Sequence, residues 1–392
     1  MPVFFVLAAS SAIAIAGAGA DGGAGAGGGA GAGGGAGAGG GAGAGAEPPA
    51  GEPVAIANQL EGSDETLLVL PSFAYRRGGR GPWVLPIHGW IFEREPRSLQ
   101  RSALIDGLAR TLEVGPADEA RFRRRMRMFL VDNERSERVR VTIAGRSRDL
   151  PRTGAHGHFE GTVELDDEAL SHARKAAGWL GFEIETDQVR GPVSLRILEP
   201  TGLSVISDID DTIKITQVLD RAELLKNTFL REFQPTQGMP AYYAALAARG
   251  AAFHYVSASP WQLYPELQAF VDRHYPPGTV HLRRLRAKDP SVVELLAGGE
   301  SYKVDTISAI VKALPERTFV LIGDSGERDP EAYGRIARRF PGRIEAIYIR
   351  RIEGADNRDA RFKAALARTS SATAHTWRLF DDPATLAAPP AR

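Results

Sequence analysis

The chain contains no cysteine among its 392 residues. This absence excludes thiolate catalysis, zinc sites with cysteine ligands and disulfide bonds. It leaves the compartment open, because such a chain tolerates either redox environment. Net charge is also lacking, since 48 Lys and Arg residues balance 48 Asp and Glu residues, so no overall charge points to nucleic acid as a partner. The length predicts two or three domains with a sizeable core.

Residues 1–46 lack basic side chains and the composition of a folded domain. An apolar stretch at residues 3–16 precedes residues 18–20 (AGA), which are similar to a signal-peptidase site, and it is too short to span a bilayer. The positive n-region of a secretory signal is missing, because the first basic residue is Arg76. Residues 22–46 are almost pure Gly and Ala, which predicts a disordered tract. Two interpretations stay open: an export signal with a linker, or an over-extended start of a protein that is cytoplasmic or peripheral to a membrane.

Between residues 67 and 198, apolar and polar residues alternate with the period of two that is typical of half-buried strands. The alternation is clearest at residues 139–143, 159–165 and 193–197. We therefore predict a β-rich domain over residues 47–200. Its role, as an element that orients a second domain or as a partner-binding platform, stays open.

One helical insert is predicted in this β-rich region. Phe122, Met126 and Phe129 recur on one helical face. Five arginines crowd the remaining surface: Arg121, Arg123, Arg124, Arg125 and Arg127. Two interpretations stay open for them, contact with anionic lipid headgroups or a solvated helix face balanced by nearby carboxylates.

After Pro200 the pattern changes to alternating strands and helices. Short apolar runs of the buried-strand type occur at residues 203–207, 252–256, 319–322 and 344–349, with helical periodicity around residues 243–247 and 304–314. This succession predicts a mainly parallel sheet covered by helices on both faces. We predict that this α/β domain spans residues 201–375, before a loose tail at residues 376–392, and that ligands bind where its strands end.

The first of these strands runs into Asp208 and Asp210, two carboxylates at positions i and i+2. Two acids held that close repel each other unless a cation lies between them, so the segment is a candidate Mg²⁺ site. One acid can then attack phosphorus while the other transfers protons. An EF-hand loop is excluded, because Ile213 and Leu219 would stand where Gly and a bidentate Glu are needed. A solvated acidic turn stays open, although the apolar residues before it favour a buried strand.

Polar and charged side chains that suit phosphoryl transfer also stand near the other predicted strands. Ser257 follows the second run, Lys303 begins the helix before the third, and Asp324 and Asp329 follow the third. Phosphoryl transfer needs a nucleophile, positioning groups and charge neutralisation. Each residue alone has an ordinary alternative, and Asp329 in particular could cap the helix that begins near Pro330. Their joint order predicts a phosphotransfer site.

In this order the segments resemble the four motifs of the haloacid-dehalogenase-type (HAD) phosphatase superfamily, and more closely those of the App1-like phosphatidate phosphatase family. The resemblance rests on residues 207–214 (SDIDDTIK), 256–265 (VSASPWQLYP) and 321–330 (LIGDSGERDP), with weaker support from residues 89–93 (GWIFE). It covers roughly residues 60–350. It implies a Rossmann-like, HAD-type parallel sheet with minimal caps, preceded by a smaller β-rich domain.

The resemblance also implies catalytic roles. Asp208 would be the nucleophile that forms an aspartyl-phosphate. Asp210 would protonate the leaving oxygen and then activate water, and Thr212 would help to hold the loop. Ser257 and Lys303 would bind the transferring phosphoryl group.

A metal site is implied in the same way. Mg²⁺ would be held by Asp208, by the backbone carbonyl of Asp210 and by Asp324. Asp329 would support this set of ligands.

Three functional classes follow. The first is a Mg²⁺-dependent phosphatidate phosphatase that yields diacylglycerol and phosphate. The second applies the same chemistry to a soluble phosphomonoester, and the third is a non-catalytic module that binds phosphatidic acid. Joint retention of a nucleophile and an acid argues against the third.

The gaps on either side of the second motif leave little room for a large cap, which suits a headgroup at a membrane surface. A basic stretch at residues 281–288, together with Trp261, Leu263 and Tyr264, would then contact lipid in a peripheral membrane association. Alternatively, Trp261 and Leu263 belong to the core and the arginines face water.

Overall fold

The computed structural model describes residues 58–93, 99–175, 178–284, 300–367 and 377–386. The signal-like segment and the Gly/Ala tract lie outside these residues, and so does the end of the basic stretch at residues 285–288. The expectations for them stay predictions.

The N-terminal half builds an 11-stranded sheet that is antiparallel except where β3 meets β11. Its strands are β1 (Gln59–Glu61), β2 (Glu65–Val69), β3 (Phe73–Arg76), β4 (Trp83–Glu93), β5 (Asp132–Asn133), β6 (Val139–Ile143), β7 (Arg146–Leu150), β8 (His158–Leu165), β9 (Arg174–Lys175), β10 (Trp179–Glu185) and β11 (Arg190–Ile197). They follow the order β1, β2, β4, β3, β11, β10, β6, β7, with β5 and β8 also paired to β4 and β9 paired to β10. The predicted β-rich region is confirmed, because burial alternates along β6, β8 and β11.

Three helices are described in this half, where the sequence predicted one. They are α1 (Leu99–Thr111), α2 (Glu119–Arg127) and α3 (Asp167–Ala173). The apolar residues of α1 form no clear stripe, so periodicity does not reveal it. The short α3 starts at the N-cap Asp166, whose side chain accepts a hydrogen bond from the Ala169 N–H.

The arginines of α2 face neither lipid nor bulk water as a group. Arg125 is buried and donates to the backbone carbonyls of Thr228 and Arg231, at 2.8 Å each. Arg124 and Arg125 both bind Glu266, at 2.7 and 3.2 Å. Burial lowers the pKa of Arg125 to about 10, although the Glu266 carboxylate opposes this shift. The arginine-rich helix therefore fastens the N-terminal half to the C-terminal half.

The C-terminal half is a six-stranded, all-parallel sheet. Its strands are β12 (Gly202–Ser207), β13 (Ala252–Pro260), β14 (Gly278–Arg283), β15 (Arg317–Asp324), β16 (Ile344–Arg350) and β17 (Arg378–Phe380). Its helices are α4 (Arg221–Phe229), α5 (Met239–Ala248), α6 (Tyr264–His274), α7 (Glu300–Ala313), α8 (Asp329–Arg339) and α9 (Asp359–Ala365). All four predicted strands and both predicted helical segments between them are confirmed.

The strands follow the order β14, β13, β12, β15, β16, β17. The chain therefore moves outward from β12 in one direction and then returns to its other side at β15. At such a switch point the crossover helices leave opposite faces, and a crevice opens at the carboxyl ends of the two central strands. Asp208 follows β12 at this point.

Helices cover both faces of the parallel sheet, as predicted. Val205 belongs to the core cluster that contains Tyr243 of α5 and Leu267 of α6. Its neighbour Ile206 belongs to the cluster that contains Ile310 of α7. Adjacent strand residues point to opposite faces, so β12 is buried on both sides.

The expectation of a loose C-terminal tail is wrong for its first part. Residues 378–380 form β17, which pairs in parallel with β16. A lone strand of three residues carries too little pattern to be recognised without its partner. The chain passes from the 11-stranded sheet to the parallel sheet between Ile197, which ends β11, and Gly202, which begins β12. The domain boundaries themselves stay predictions.

Candidate active site

The carboxyl ends of β12 and β15 bring Asp208 and Asp324 to one edge of the sheet. The two strands are adjacent and parallel, and β13 on the other side of β12 carries Ser257 at the same edge. Lys303, from the first turn of α7, reaches this cluster as well. The tertiary structure thus brings together side chains that are far apart in the sequence.

Asp208 is 1% exposed, and all but one of its polar atoms form hydrogen bonds with described residues. Its N–H donates to the Ile322 carbonyl at 2.9 Å, and Thr212 Oγ1 donates to its Oδ2 at 3.0 Å. Lys303 Nζ lies 2.7 Å from Oδ1, but this ion pair lacks hydrogen-bond geometry. Among the described residues, Oδ1 therefore has no hydrogen-bond donor. This oxygen is the one left free for chemistry.

Lys303 is surrounded by carboxylates. Besides Asp208, its ammonium donates to Glu327 Oε2 at 2.7 Å and to Asp329 Oδ1 at 2.6 Å. Burial alone would lower the pKa of Lys303, but these three acids raise it well above the usual value. Lys303 is therefore a buried, permanently charged group. Glu327 stands inside the quoted motif, two residues before α8, where an acidic residue also suits the positive end of the helix dipole and so carries no separate signal.

Asp324 and Asp329 hold each other in place. The Asp324 N–H donates to Asp329 Oδ2 at 3.2 Å, and Asp324 Oδ1 accepts from the N–H groups of Gly326 and Glu327 at 2.7 and 3.1 Å. A Cβ at Gly323 would lie 2.3 Å from Asp329 Oδ2, so the close approach requires glycine there. Asp329 is the first residue of α8 and turns its carboxylate into the cluster instead of capping the helix.

Three of these carboxylates have the arrangement of a cation site. One oxygen from each of Asp208, Asp324 and Asp329 lies within 4.8 Å of the other two. Burial raises the pKa of Asp208 and Asp324 well above the usual range; neighbouring acids, Glu327 among them, add to the shift and Lys303 opposes it. One ammonium cannot neutralise these three buried carboxylates together with the half-buried Glu327. The cluster of oxygen donors is therefore suited to a hard divalent cation.

Asp210 lies in a different environment. Its Oδ1 contacts Lys214 Nζ and Thr216 Oγ1, both at 2.9 Å, and its Oδ2 accepts from Ser257 Oγ and Ser259 Oγ at 2.8 and 2.9 Å. Burial alone would raise the pKa of Asp210. The charge of Lys214 and the hydrogen bonds from Lys214 and the serines outweigh burial and lower the pKa to about 2. Asp210 is thus ionised, and its carboxylate is not part of the three-carboxylate group.

Sequence reasoning assigned Ser257 but not the other donors around Asp210. Lys214 and Ser259 stand in the quoted motifs, and their polar side chains beside the predicted strand ends are the signal that points to them. Thr216 carries no motif signal. Its position depends on Asp211, whose φ is +54° and whose carboxylate accepts from the N–H groups of residues 216, 217 and 218 at 2.7, 2.8 and 2.7 Å.

The expected lipid-contacting rim is wrong for its aromatic part. Trp261 is 5% exposed, and Leu263 and Tyr264 are more buried still. The Trp261 ring meets His88 of β4 edge-on, with 5.2 Å between the ring centroids. Arg284, from the described part of the basic stretch, contacts Glu160 and His88. These residues join the two sheets.

The fold and the site together define an α/β protein with a buried acidic cluster at the switch point of a parallel sheet. Residues 203–351 match the family described as phosphatidate phosphatase APP1, catalytic domain. The chain is 36% identical over 173 residues to phosphatidate phosphatase APP1 of Saccharomyces cerevisiae. The aligned residues cover 43% of this chain and 29% of that protein. It is 34% identical over 159 residues to an uncharacterized protein of Schizosaccharomyces pombe, covering 39% of this chain and 26% of that protein. Residues 203–351 are therefore similar to an App1-like catalytic domain, the resemblance that the motifs indicated.

The matched segment spans less than a third of the length of these curated relatives. Among solved structures, a ferredoxin-NADP⁺ reductase from Plasmodium falciparum is similar at 7% identity and a TM-score of 0.17, over 75% of this chain and 99% of that chain. That score is too low to bear on the fold. In the part of the chain that the structure describes, no helix has both the length and the apolar character needed to cross a membrane.

Proposed function

We propose that this protein is a Mg²⁺-dependent phosphatidate phosphatase that hydrolyses phosphatidic acid to diacylglycerol and phosphate through an aspartyl-phosphate. The observation that carries the proposal is the Asp208 carboxylate, whose Oδ1 accepts no hydrogen bond from the described residues and lies beside Lys303 and two further acids. The strand order of the parallel sheet supports a Rossmann-like, HAD-type fold with minimal caps.

In the first step, Asp208 Oδ1 attacks the phosphorus atom. A bond forms between Oδ1 and phosphorus while the bond to the glycerol oxygen breaks, and that oxygen takes a proton. In the second step, water attacks the phosphorus atom, and Asp208 is released as a carboxylate. Splitting one displacement into two in this way is the advantage of covalent catalysis. Lys303 holds Asp208 in place and neutralises phosphoryl charge.

Asp210 is the proposed proton donor to the leaving oxygen and later the base for water. In the structure it is ionised and held by four donors, so it must gain a proton as substrate binds. A phosphoryl group that takes over the Ser257 hydroxyl would remove one of those donors. Losing a donor to the charged form raises the pKa of a carboxylate, which prepares Asp210 for its role.

The residues fit Mg²⁺. Asp208 and Asp324 would hold the ion together with the Asp210 carbonyl, and Asp329 would support the set. The bound ion would supply charge stabilisation for the phosphoryl oxygens. Without it, the excess of buried carboxylates would repel an anionic substrate.

A lipid substrate is supported by two side chains beside the site. Ile215 and Leu219 are 41% and 50% exposed, and they are the large hydrophobic residues that stand out to solvent among the described residues. Both lie on the loop whose Lys214 and Thr216 contact Asp210. We propose that this loop, in place of Trp261, meets the membrane surface when the protein associates with it peripherally.

The test is Mg²⁺-dependent phosphate release from phosphatidate in mixed micelles, with soluble phosphomonoesters in parallel. Asp208→Asn should abolish release, and a chelator should do the same. Asp220→Asn is the matched control, because Asp220 caps α4 on the same loop and Asn caps equally well. Release from soluble esters alone would contradict the lipid substrate. Phosphatidate binding without turnover would favour a binding module instead.

A further inference from the structure

A second group of acidic side chains lies in the 11-stranded sheet and takes no part in the proposed reaction. Glu65 begins β2, and Glu134 and Glu137 stand in the loop between β5 and β6. One oxygen from each of the three carboxylates lies within 4.8 Å of the other two. Three carboxylates this close repel one another unless they hold protons or share a cation.

Glu65 is the buried member of the group. It is 3% exposed, and its buried Oε2 has no hydrogen-bond partner among the residues that the structure describes. Its Oε1 accepts a long bond of 3.3 Å from the neutral amide of Gln188. A buried carboxylate oxygen without a partner is costly, so Glu65 presents an unsatisfied ligand atom to the group.

Among the described residues, no Lys, Arg or His side chain forms an ion pair with these three carboxylates. The surroundings add negative charge, since Glu93 stands directly opposite Glu65 in the ladder of β2 and β4. Burial raises the pKa of Glu65 to about 7, and Glu137, Glu134, Glu93 and Asp187 contribute to the shift. Neighbouring carboxylates without a cationic side chain among the described residues leave this group without a counter-charge.

The loop that carries Glu134 and Glu137 is held in place by the backbone. The Glu134 N–H donates to the Ile91 carbonyl at 3.0 Å, and the Glu137 N–H donates to Thr153 Oγ1 at 2.8 Å. Ser136 between them has a φ of +66° and donates its N–H to the Thr153 carbonyl at 2.9 Å. The backbone that carries both glutamates is therefore held in place before any ligand arrives, which lowers the entropic cost of binding.

We propose that Glu65, Glu134 and Glu137 form a structural binding site for a hard divalent cation of the Ca²⁺ class. The donors are all carboxylate oxygens, which Ca²⁺ prefers. Oxygens separated by up to 4.8 Å can share one ion at the roughly 2.3–2.6 Å of Ca²⁺–oxygen bonds. The ion would tie β2 to the loop after β5. This site is independent of the phosphatase proposal.

The experiment measures Ca²⁺ binding by calorimetry, and the Ca²⁺-dependent rise in Tm, on the full chain. It is done in the Asp324→Asn background, so that the proposed catalytic metal site does not contribute. We expect one bound Ca²⁺ and a clear rise in Tm. Glu65→Gln should weaken binding by roughly tenfold to a hundredfold and remove the rise in Tm.

Glu168→Gln is the matched control, because Glu168 is an exposed acid of α3 in the same half. It should leave Ca²⁺ binding unchanged. Glu137→Gln, at a half-buried loop position, gives the same test if Glu65→Gln does not fold. Ca²⁺ binding that is insensitive to both substitutions would overturn the proposal. So would the absence of binding in a protein that lowering the pH stabilises, because Glu65 would then simply hold a proton.

Discussion

Lys214 and Asp210 form a buried ion pair in which Nζ lies 2.9 Å from Oδ1. The ammonium also lies over the Phe233 ring, 4.7 Å from its centroid. Because both partners are shielded from water, neither charge can be satisfied by solvent if the other is removed. The pair therefore holds the loop after β12 in the conformation that places Asp210 beside Ser257.

Replacing Lys214 with Met should destabilise the protein by about 3–5 kcal/mol, because the Asp210 carboxylate would stay buried without its charge partner. Adding Asp210→Asn to Lys214→Met should recover part of that loss, since a neutral amide needs no counter-charge. Urea unfolding of the two single variants and the double variant gives the coupling free energy. Simple addition of the two single losses would contradict an interacting pair.

Arg125→Met should lower the free energy of unfolding by about 3–5 kcal/mol, because it removes three charge-assisted hydrogen bonds, one to Glu266 and two to backbone carbonyls. Arg127→Met, an exposed position on the same helix, should change it by less than about 0.5 kcal/mol. Urea unfolding measures both. Equal effects of the two substitutions would mean that α2 does not fasten the two halves together.

The junction of the two sheets contains a pair of half-buried histidines. His88 Nε2 lies 3.0 Å from His158 Nδ1, and Arg284 Nη2 lies 3.1 Å from the same His88 nitrogen. Glu160 Oε1 lies 3.8 Å from His88 Nδ1. Burial lowers the pKa of His158 to about 3, helped by Arg284, and lowers the pKa of His88 well below its usual value.

The unfolded chain binds protons at these histidines below about pH 6.5, whereas the folded chain keeps His158 neutral until about pH 3 and holds the pKa of His88 well below its usual value. The free energy of unfolding should therefore fall as the pH falls from 6.5. His158→Gln should reduce this slope, and His172→Gln, at an exposed position on α3, should preserve it. Urea unfolding between pH 7.5 and 5 measures the slope, and an unchanged slope in His158→Gln would argue against a neutral histidine pair at this junction.

Ile215→Asp combined with Leu219→Asp should lower phosphate release from phosphatidate in anionic vesicles, because acidic side chains cannot enter the lipid interface. Release from a soluble phosphomonoester should change little if the loop keeps its fold. The ratio of the two rates is the measurement, with Ile215→Leu and Leu219→Ile as the conservative control. Equal losses on both substrates would point to a damaged site and contradict a membrane-facing loop.

Much of the fold could be predicted because burial repeats at regular intervals. The alternation at residues 139–143 and the apolar runs at residues 203–207 and 319–322 identify strands without knowledge of their partners. Helix α1 and strand β17 could not be found in this way. The first has no clear apolar stripe, and the second has three residues whose burial depends on β16 beside it.

The candidate site likewise has residues that the sequence predicts and contacts that only the tertiary structure shows. Motif order singled out Asp208, Lys303, Asp324 and Asp329, and the structure brings them together. Motif order did not indicate that Asp210 would be bound by Lys214 and two serines, or that Trp261 would be covered by His88.

The sequence by itself determined the strand periods, the acidic ends of β12 and β15, and the resemblance that the family match supports. Only the tertiary structure decided which charge meets which. Periodicity shows that a side chain is buried, but its partner is chosen by the way in which strands and helices pack together. That packing set Lys303 against Asp208 and Arg125 against Glu266, and it left Glu65 with a buried oxygen that no described residue satisfies.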